Sequence, residues 1–365
     1  MGFDLSTLTS LLKTDIKTNP AKGGVLGVDI GSSSIKIVQL KDVKGVPTLE
    51  TYGELQLGPY EGIDLGRGTH LPPHKLIEAL IDIFREAGAT GKDVAFALSY
   101  NSSFTTTIAI PTLDPEKIGA LIPVEARKYI PISLSKVTLD WFPLAMHEEE
   151  KTTHVLVSAI FNEALSKYES IMKGSGLNTV ASEIEIFSSI RSVLSPKDEV
   201  VAVLDWGASS TRMYIVKKGV IEKTHSIQLS GVSLTQAIAG ELGIDFKIAE
   251  EMKRDVGVLG KEDDPRIQRA VLGTLDRGLR ELHTVIKRYE EDEKVSIGTV
   301  VLSGSGALLV GLSAYIQDMI SRPVVLADPF SKVGYPAFLE DTLKQAGPSF
   351  AVALGVGLRA FQKTQ

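Results

Sequence analysis

The sequence predicts an α/β protein built from two similar halves. Three observations carry that expectation. Its 365 residues exceed the roughly 100–200 of one ordinary domain, and at 43% hydrophobic the chain can bury more than one core. Strand-like and helix-like apolar patterns alternate along most of its length. And one strand–turn–strand motif is written twice: Val25 to Lys41 reads VLGVDIGSSSIKIVQLK, and Val201 to Lys217 reads VAVLDWGASSTRMYIVK. Aligning Asp29 with Asp205 also aligns Gly31 with Gly207, Ser33 with Ser209, Ser34 with Ser210 and Lys36 with Arg212.

Each copy runs from an apolar strand through a tight Gly-Ser turn into a second strand with alternating apolar residues (Ile35, Ile37 and Val38; Met213, Ile215 and Val216). One half therefore begins near Val25 and the other near Glu199. In the first half, Leu76, Ile77, Leu80, Ile81 and Phe84 share one face of a helix expected over His74–Ala87. Val94–Ser99 and the Thr-rich Phe104–Ile110 read as strands. Pro115–Tyr129 fits a helix with proline at its start. Strands follow over Val137–Met146 and His154–Phe161, separated by the turn-prone HEEEKTT stretch, then helices over Asn162–Lys173 and Ser182–Leu194. In the second half, helices are expected over Ser233–Leu242 and Phe246–Val256. A long amphipathic helix over Pro265–Tyr289 carries Leu272, Leu275, Leu279, Leu282, Ile286 and Tyr289. A strand over Thr299–Leu302 and a helix over Ala307–Ile320 complete the pattern.

Composition removes several function classes. Lys and Arg number 39 against 45 Asp and Glu, a formal charge of −6 that argues against a strongly cationic nucleic-acid binder. With no cysteine, disulfides, thiolate zinc sites, cysteine nucleophiles and cysteine-ligated iron–sulfur clusters are excluded. No run approaches the roughly 18 apolar residues of a spanning helix, and no signal peptide is evident. Phe3, Leu5, Leu8, Leu11, Leu12 and Ile16 recur at near-helical spacing. The expectation for 1–23 is a loosely ordered N-terminal arm, with a weak interfacial helix as the alternative.

The two D-x-G turns can carry chemistry. A turn rich in Gly and Ser presents backbone N–H groups and hydroxyls to phosphate oxygens. Asp29 and Asp205, each at the end of a first strand, can hold Mg²⁺ directly or through its waters. Lys36 and Arg212 stand at the same offset, where a cation meets phosphate. A lone Asp-Gly turn says little, but two that face each other form a phosphate clamp. Further along, a buried strand runs into Ser303-Gly304-Ser305-Gly306 ahead of a helix, where a base or an α-phosphate can lie against backbone.

The order hairpin, hairpin, strand–SGSG–helix resembles the actin/Hsp70/sugar-kinase ATPase superfamily, with its phosphate-1, phosphate-2 and adenosine motifs. Ser182-Glu183-Ile184-Glu185-Ile186-Phe187 resembles the first connecting helix, and Gly347-Pro-Ser-Phe-Ala-Val-Ala-Leu-Gly-Val-Gly-Leu358 the second. Within the superfamily, Gly27-Val-Asp-Ile-Gly-Ser-Ser-Ser-Ile-Lys36 and an inserted β-α-β-β-α unit are similar to the PilM family of actin-like proteins of type IV pilus assembly. The fold so implied has two RNase-H-like halves with an inserted FtsA-type 1C (SHS2-like) subdomain. Its parts are an N-terminal arm (1–23), subdomain 1A (24–103 with 178–198 and 340–365), inserted subdomain 1C (104–177), subdomain 2A (199–235 with 295–339) and subdomain 2B (236–294).

The resemblance also implies roles and partners. ATP and Mg²⁺ are the expected cofactors, with Asp29 and Asp205 as the acidic metal positions. Gly31, Ser32, Ser33, Lys36, Gly207, Ala208 and Ser209 match phosphate contacts, and Gly304, Gly306 and Ala307 the adenosine loop. Glu250 and Lys253 match ribose or base contacts, and Glu185 the residue that positions the attacking water. Two departures are Ser305, where glycine is usual, and Arg212, where a small polar residue is common; both bear on hydrolysis more than on binding, so turnover is expected to be slow at most. The implied role is a scaffold or ring at the cytoplasmic face of the inner membrane, in twitching motility. It would bind the cytoplasmic tail of a PilN-like protein, couple to other platform and motor proteins, form a homo-oligomer and bind no nucleic acid.

Other readings have less behind them. A small-molecule kinase of the same superfamily needs a general base beside an acceptor pocket, and no residue can be assigned to it. An FtsA-like division protein would end in an amphipathic membrane helix, a GspL-like secretion protein needs a span, and Hsp70 needs a long substrate domain. His70 and His74 have metal-like spacing, but Pro72 and Pro73 lie between them. The acidic runs Glu148–Glu150, 262–264 and Glu290–Glu293 read as solvated loops or helix ends. Trp141, Phe142 and Pro143 are either a partner surface or the core of the inserted unit.

Overall fold

The computed structural model describes residues 24–195, 199–260 and 264–362. The arm at 1–23 and part of the acidic run 262–264 lie outside them. The first half opens with β1 (Val25–Ile30), β2 (Ser34–Val43), β3 (Val46–Gln56), the single turn α1 (Gly58–Glu61), α2 (Pro73–Glu86) and β4 (Asp93–Leu98). Then come β5 (Ser103–Ile110), α3 (Pro115–Ala126), β6 (Val137–His147), β7 (Thr152–Phe161) and α4 (Asn162–Gly174), before β8 (Asn178–Ile184) and α5 (Glu185–Val193). The second half has β9 (Val200–Trp206), β10 (Thr211–Lys217), β11 (Val220–Ile227), α6 (Gly231–Leu242), α7 (Phe246–Val256) and α8 (Pro265–Glu293). It ends with β12 (Thr299–Ser303), α9 (Leu312–Ile320), β13 (Val324–Leu326) and α10 (Glu340–Arg359).

The sequence repeat becomes a repeat of sheets. The first sheet has order β3-β2-β1-β4-β8 and the second β11-β10-β9-β12-β13. In both, three antiparallel strands are followed by two parallel ones. The central strands β1, β4, β9 and β12 are nearly continuous runs of buried residues, as strands covered on both faces must be. A third sheet, β5-β7-β6, is inserted between β4 and β8. Its core is Ile108, Val137, Val155 and Val157 packed against Ile118 and Ile122 of α3. Half-buried Trp141 belongs to that core; the side chains of Phe142 and Pro143 lie outside those described.

Helix ends follow local chemistry. Asp114 accepts from the N–H of Glu116 at 3.1 Å to start α3, and Ser230 and Ser233 form a reciprocal capping box at the start of α6. Two expectations are corrected. Ser182–Ile184 complete strand β8, paired in parallel with β4, and the helix starts only at Glu185. The helix expected over Ala307–Ile320 is a 3₁₀ turn at Ser305–Leu308, then Gly311 at φ +77°, then α9. That left-handed residue breaks one pattern into two pieces.

Helices α5 and α10 cross between the sheets. Gly355 sits against Ser188, where an added Cβ would fall 1.8 Å from the carbonyl oxygen. Beneath the crossing lies a closed charge cluster. Glu183, fully buried, accepts from both Arg191 and Arg359, and Ser192 Oγ donates to the Ala351 carbonyl at 2.7 Å. Burial pushes the Glu183 carboxyl up, but the two guanidinium groups hold it below the ordinary range.

Candidate functional site between the two hairpins

The duplicated turns face each other across a cleft. Asp29 pairs in register with Lys36, and Asp205 with Arg212. The turns close alike: Gly31 N–H donates to the Ser34 carbonyl at 3.0 Å, and Gly207 N–H to the Ser210 carbonyl at 2.9 Å. The N-terminus of α6 braces the second turn through Gly231 N–H to Gly207 O (3.1 Å) and Val232 N–H to Ala208 O (2.9 Å). Ser209 Oγ donates to Ser32 Oγ at 2.9 Å across the gap, joining the halves.

Two adjoining cavities occupy the cleft. The larger, about 550 Å³, is lined by Asp29, Gly31, Ser32, Ser33, Lys36, Glu185, Asp205, Gly207, Ala208, Ser209 and Gly304. The smaller, about 330 Å³, takes Glu250, Lys253 and Gly306, with Trp206, Leu308 and Leu309 as its apolar wall. Ser33, Gly207, Ala208, Ser305 and Ser349 line both. All the residues expected in the site except Ala307 are thus brought together. Ala307 is buried in the core of the second half and lines neither cavity.

The loop after β12 is shaped by contact. Gly304 stands at φ +82°, and a Cβ there would meet the Trp206 carbonyl oxygen at 2.4 Å and Asp205 Oδ1 at 2.8 Å. Gly306 lies on the Trp206 indole, where a Cβ would fall 2.2 Å from Cδ1. Ser303 Oγ and Trp206 Nε1, both buried, have no hydrogen-bond partner among the described residues, and each residue lines one of the cavities.

The acidic groups are half-buried at the floor of the cleft. Burial pushes the Asp29 carboxyl up to about 6, opposed by Lys36 and reinforced by Asp205 and Glu54. Burial likewise raises Asp205, against Arg212 and Lys36. Two carboxylates that repel across a cleft are relieved by a divalent cation. Among the described residues no three His, Asp or Glu converge on one point. A pair suits Mg²⁺, which keeps several waters and takes its remaining oxygens from phosphates. Glu185 is pushed up to about 7 by burial, against Arg212.

The cations have partners of their own. Lys36 Nζ donates to Ser34 Oγ at 2.7 Å and pairs with Glu54 at 3.4 Å. Arg212 donates to Glu185 Oε1 at 2.9 Å and to Asn101 Oδ1 at 3.0 Å, with its guanidinium 5.2 Å from the Tyr100 ring centroid. Tyr100 N–H also donates to Glu185 Oε1 at 2.9 Å, and Tyr100 Oη meets Thr224 Oγ1 at 3.1 Å. Lys253 Nζ donates to Glu250, Thr235 and the Gly231 carbonyl. Glu250 also accepts from Arg254.

Residues 64–69 form a strap from the first half over the second, a feature that no motif announced. Thr69 donates through both N–H and Oγ1 to the Ser32 carbonyl, at 2.8 and 2.9 Å. The Arg67 guanidinium lies 4.0 Å over the Phe246 ring. Gly66, at φ +84°, lies on Glu250, and a Cβ on Gly68 would sit 2.5 Å from Ser209 Oγ. Tyr100, Asn101 and Lys167 are further site residues absent from the sequence reading, and Ser303 and Ser349, which it names only within longer motifs, line the cleft as well.

The chain is similar to known proteins over most of its length. The profile of the family described as type IV pilus assembly protein PilM matches residues 27–361. A chain of a solved PilM–PilN type IV pilus biogenesis complex is 26% identical, with a TM-score of 0.77 over 93% of this chain and 99% of that one. The ethanolamine utilization protein EutJ of Carboxydothermus hydrogenoformans (17% identical, TM-score 0.55, 92% and 89% covered) shares the fold. So does an MreB of Spiroplasma citri bound to AMPPNP (12% identical, TM-score 0.52, 93% and 96% covered). The fold is therefore actin-like.

Proposed function

The chain belongs to the PilM family of type IV pilus assembly proteins, and from that premise we propose that it is an actin-like, ATP-binding scaffold of the pilus machine. The observation that carries the reading is the clamp of two matching hairpins, closed over paired carboxylates, beside a cavity walled by Trp206, Leu308 and Leu309. Its partner is the cytoplasmic tail of a PilN-like protein; a PilM–PilN complex is the solved assembly that this chain resembles at 26% identity. Through that partner the protein works at the cytoplasmic face of the inner membrane. No helix among the described residues is long and apolar enough to cross a membrane. A ring or other homo-oligomer and contact with further platform and motor proteins belong to the same reading. Family membership favours it over a small-molecule kinase.

The residues divide the work. Asp29 and Asp205 would hold Mg²⁺, which would neutralise phosphate charge when bound. The turns 31–33 and 207–209 offer N–H and hydroxyl donors to phosphate oxygens, and Ser303 Oγ gains the partner it lacks. The smaller cavity, lined by Gly306 and walled by Trp206, Leu308 and Leu309, would take the base. Glu250 already accepts from Thr235, Lys253 and Arg254, so it braces the ribose side more than it offers a free acceptor. Glu185, which lines the larger cavity, would orient the attacking water. Its Oε1 is engaged by Arg212 and by Tyr100 N–H, which keeps hydrolysis slow and leaves ATP to act by favouring the closed state.

The test is a fluorescence-anisotropy titration with a peptide from the cytoplasmic start of the PilN-like protein of the same organism. It is run without nucleotide, with Mg²⁺-ATP and with Mg²⁺-ADP. Saturable binding that shifts with nucleotide is expected. A folded protein that binds the peptide in no state, and turns over ATP quickly only with a small acceptor, would refute the scaffold.

A further inference from the structure

The larger cavity is lined by three Lys and Arg side chains: Lys36, Arg212 and Lys167. Two are engaged, Lys36 by Ser34 and Glu54 and Arg212 by Glu185 and Asn101. Lys167 has no hydrogen-bond or ion-pair partner among the described residues, although three carboxylates, Asp29, Glu185 and Asp205, line the same cavity. It lines only this cavity and not the apolar-walled one that would take the base. Lys167 therefore stands on the phosphate side of the cleft.

The helix that carries it is fixed. Ile171 and Met172 of α4 are fully buried in the core of the first half, and Gly174 packs on Ile77. Tyr168 stacks on Phe96 of β4 with ring centroids 6.0 Å apart and planes 12° from parallel. Tyr168 lines the larger cavity together with Lys167, Asp29 and Glu185, which places this turn of α4 beside the acidic floor. A lysine on such a base keeps its reach through a flexible four-carbon stem while its backbone stays put.

We propose that Lys167 is a ligand for the terminal phosphate of a bound nucleoside triphosphate, supplied by the helix that leads out of the inserted sheet. The inference rests on the nucleotide-binding reading above and deepens it. The triphosphate adds charge to a site where the other two Lys and Arg side chains are already committed, and a mobile ammonium group is the matching counter-charge. The diphosphate lacks the group that Lys167 reaches, so the contact separates the two nucleotide states. Strand β7 ends at Phe161 and α4 begins at Asn162 with no residue between. Any pull on Lys167 is therefore delivered directly to the middle strand of the inserted sheet.

The experiment is calorimetric titration of Mg²⁺-ATP and Mg²⁺-ADP into the full chain, its Lys167→Ala variant and its Lys167→Arg variant. Equal thermal midpoints establish that the variants are folded, as expected for an exposed side chain. Lys167→Ala should weaken ATP about tenfold and leave ADP within about twofold, and Lys167→Arg should recover most of the loss. Equal weakening of both nucleotides, or none of either while the wild type binds ATP, would overturn the proposal and leave the nucleotide reading standing. A wild type that binds neither nucleotide would overturn both.

Discussion

Replacing Asp29 with asparagine should make the nucleotide-free protein more stable and the nucleotide-bound one less so. Asp29 titrates at about 6 against 3.8 for a free aspartate, a difference of 2.2. At about 1.4 kcal/mol per pKa unit this is a ceiling of about 3 kcal/mol. The cleft is open to water, and screening reduces the figure to about 1.5 kcal/mol. A carboxyl whose folded pKa is raised binds more protons folded than unfolded between about pH 4 and pH 6. Wild-type stability therefore falls as pH rises through that window, and the loss is complete above it. Asparagine carries no charge to lose. Urea unfolding in EDTA should give Asp29→Asn an advantage of about 1–3 kcal/mol at about pH 8 that shrinks toward zero near pH 4. Adding Mg²⁺-ATP should raise the wild-type midpoint and leave the variant almost unmoved, because only a native state that binds is stabilised by mass action. An asparagine variant less stable than wild type at pH 8, or protected equally by Mg²⁺-ATP, would refute the picture of a strained carboxylate relieved by metal.

Two further perturbations address the frame. Glu183→Gln takes from buried Arg191 and Arg359 the carboxylate that both donate to and should cost about 3–5 kcal/mol in denaturant midpoints; a loss below about 1 kcal/mol would mean that water already reaches the cluster. Gly68→Val drives a side chain into Ser209 and should lift the strap, so that a fluorescent ADP analogue leaves several-fold faster in stopped-flow; an unchanged rate would show that the strap does not bound the cleft.

The hairpins were legible because their chemistry is local: Asp, Gly, Ser and a cation sit within eight residues, and the second copy confirms the first. The inserted sheet was legible for the same reason, through the Thr-rich run 104–110 and the two strand-like runs on either side of the turn-prone HEEEKTT stretch. Lys167, Asn101 and the strap were not, because they reach the cleft only when segments far apart in sequence fold together, and nothing local marks Gly66 or Thr69 as a clasp. Ser182–Ile184 misled because S-E-I-E-I fits a strand and the first turn of a helix equally well, and the choice was made by pairing with β4. Ala307 follows two glycines of the loop, yet its methyl turns into the core of the second half. Position beside a motif does not fix which way a side chain points.

Consider, finally, the place where α5 and α10 cross. Backbone meets backbone there, with Gly355 on Ser188 and Gly27 of β1 on Ala353 and Gly357. No side chain separates the backbones at these two points, and Ser192 Oγ pins the crossing by donating to the Ala351 carbonyl, so the crossing behaves as a fulcrum. Helix α10 touches β1, β2 and β4 of the first half and β12 of the second. Its 20 residues make a rod of about 30 Å. A tilt of about 10° around its middle would carry each end through about 2–3 Å, roughly the length of a hydrogen bond. A rearrangement too small to notice at the phosphates is then large enough at the ends of the lever to make or break a polar contact.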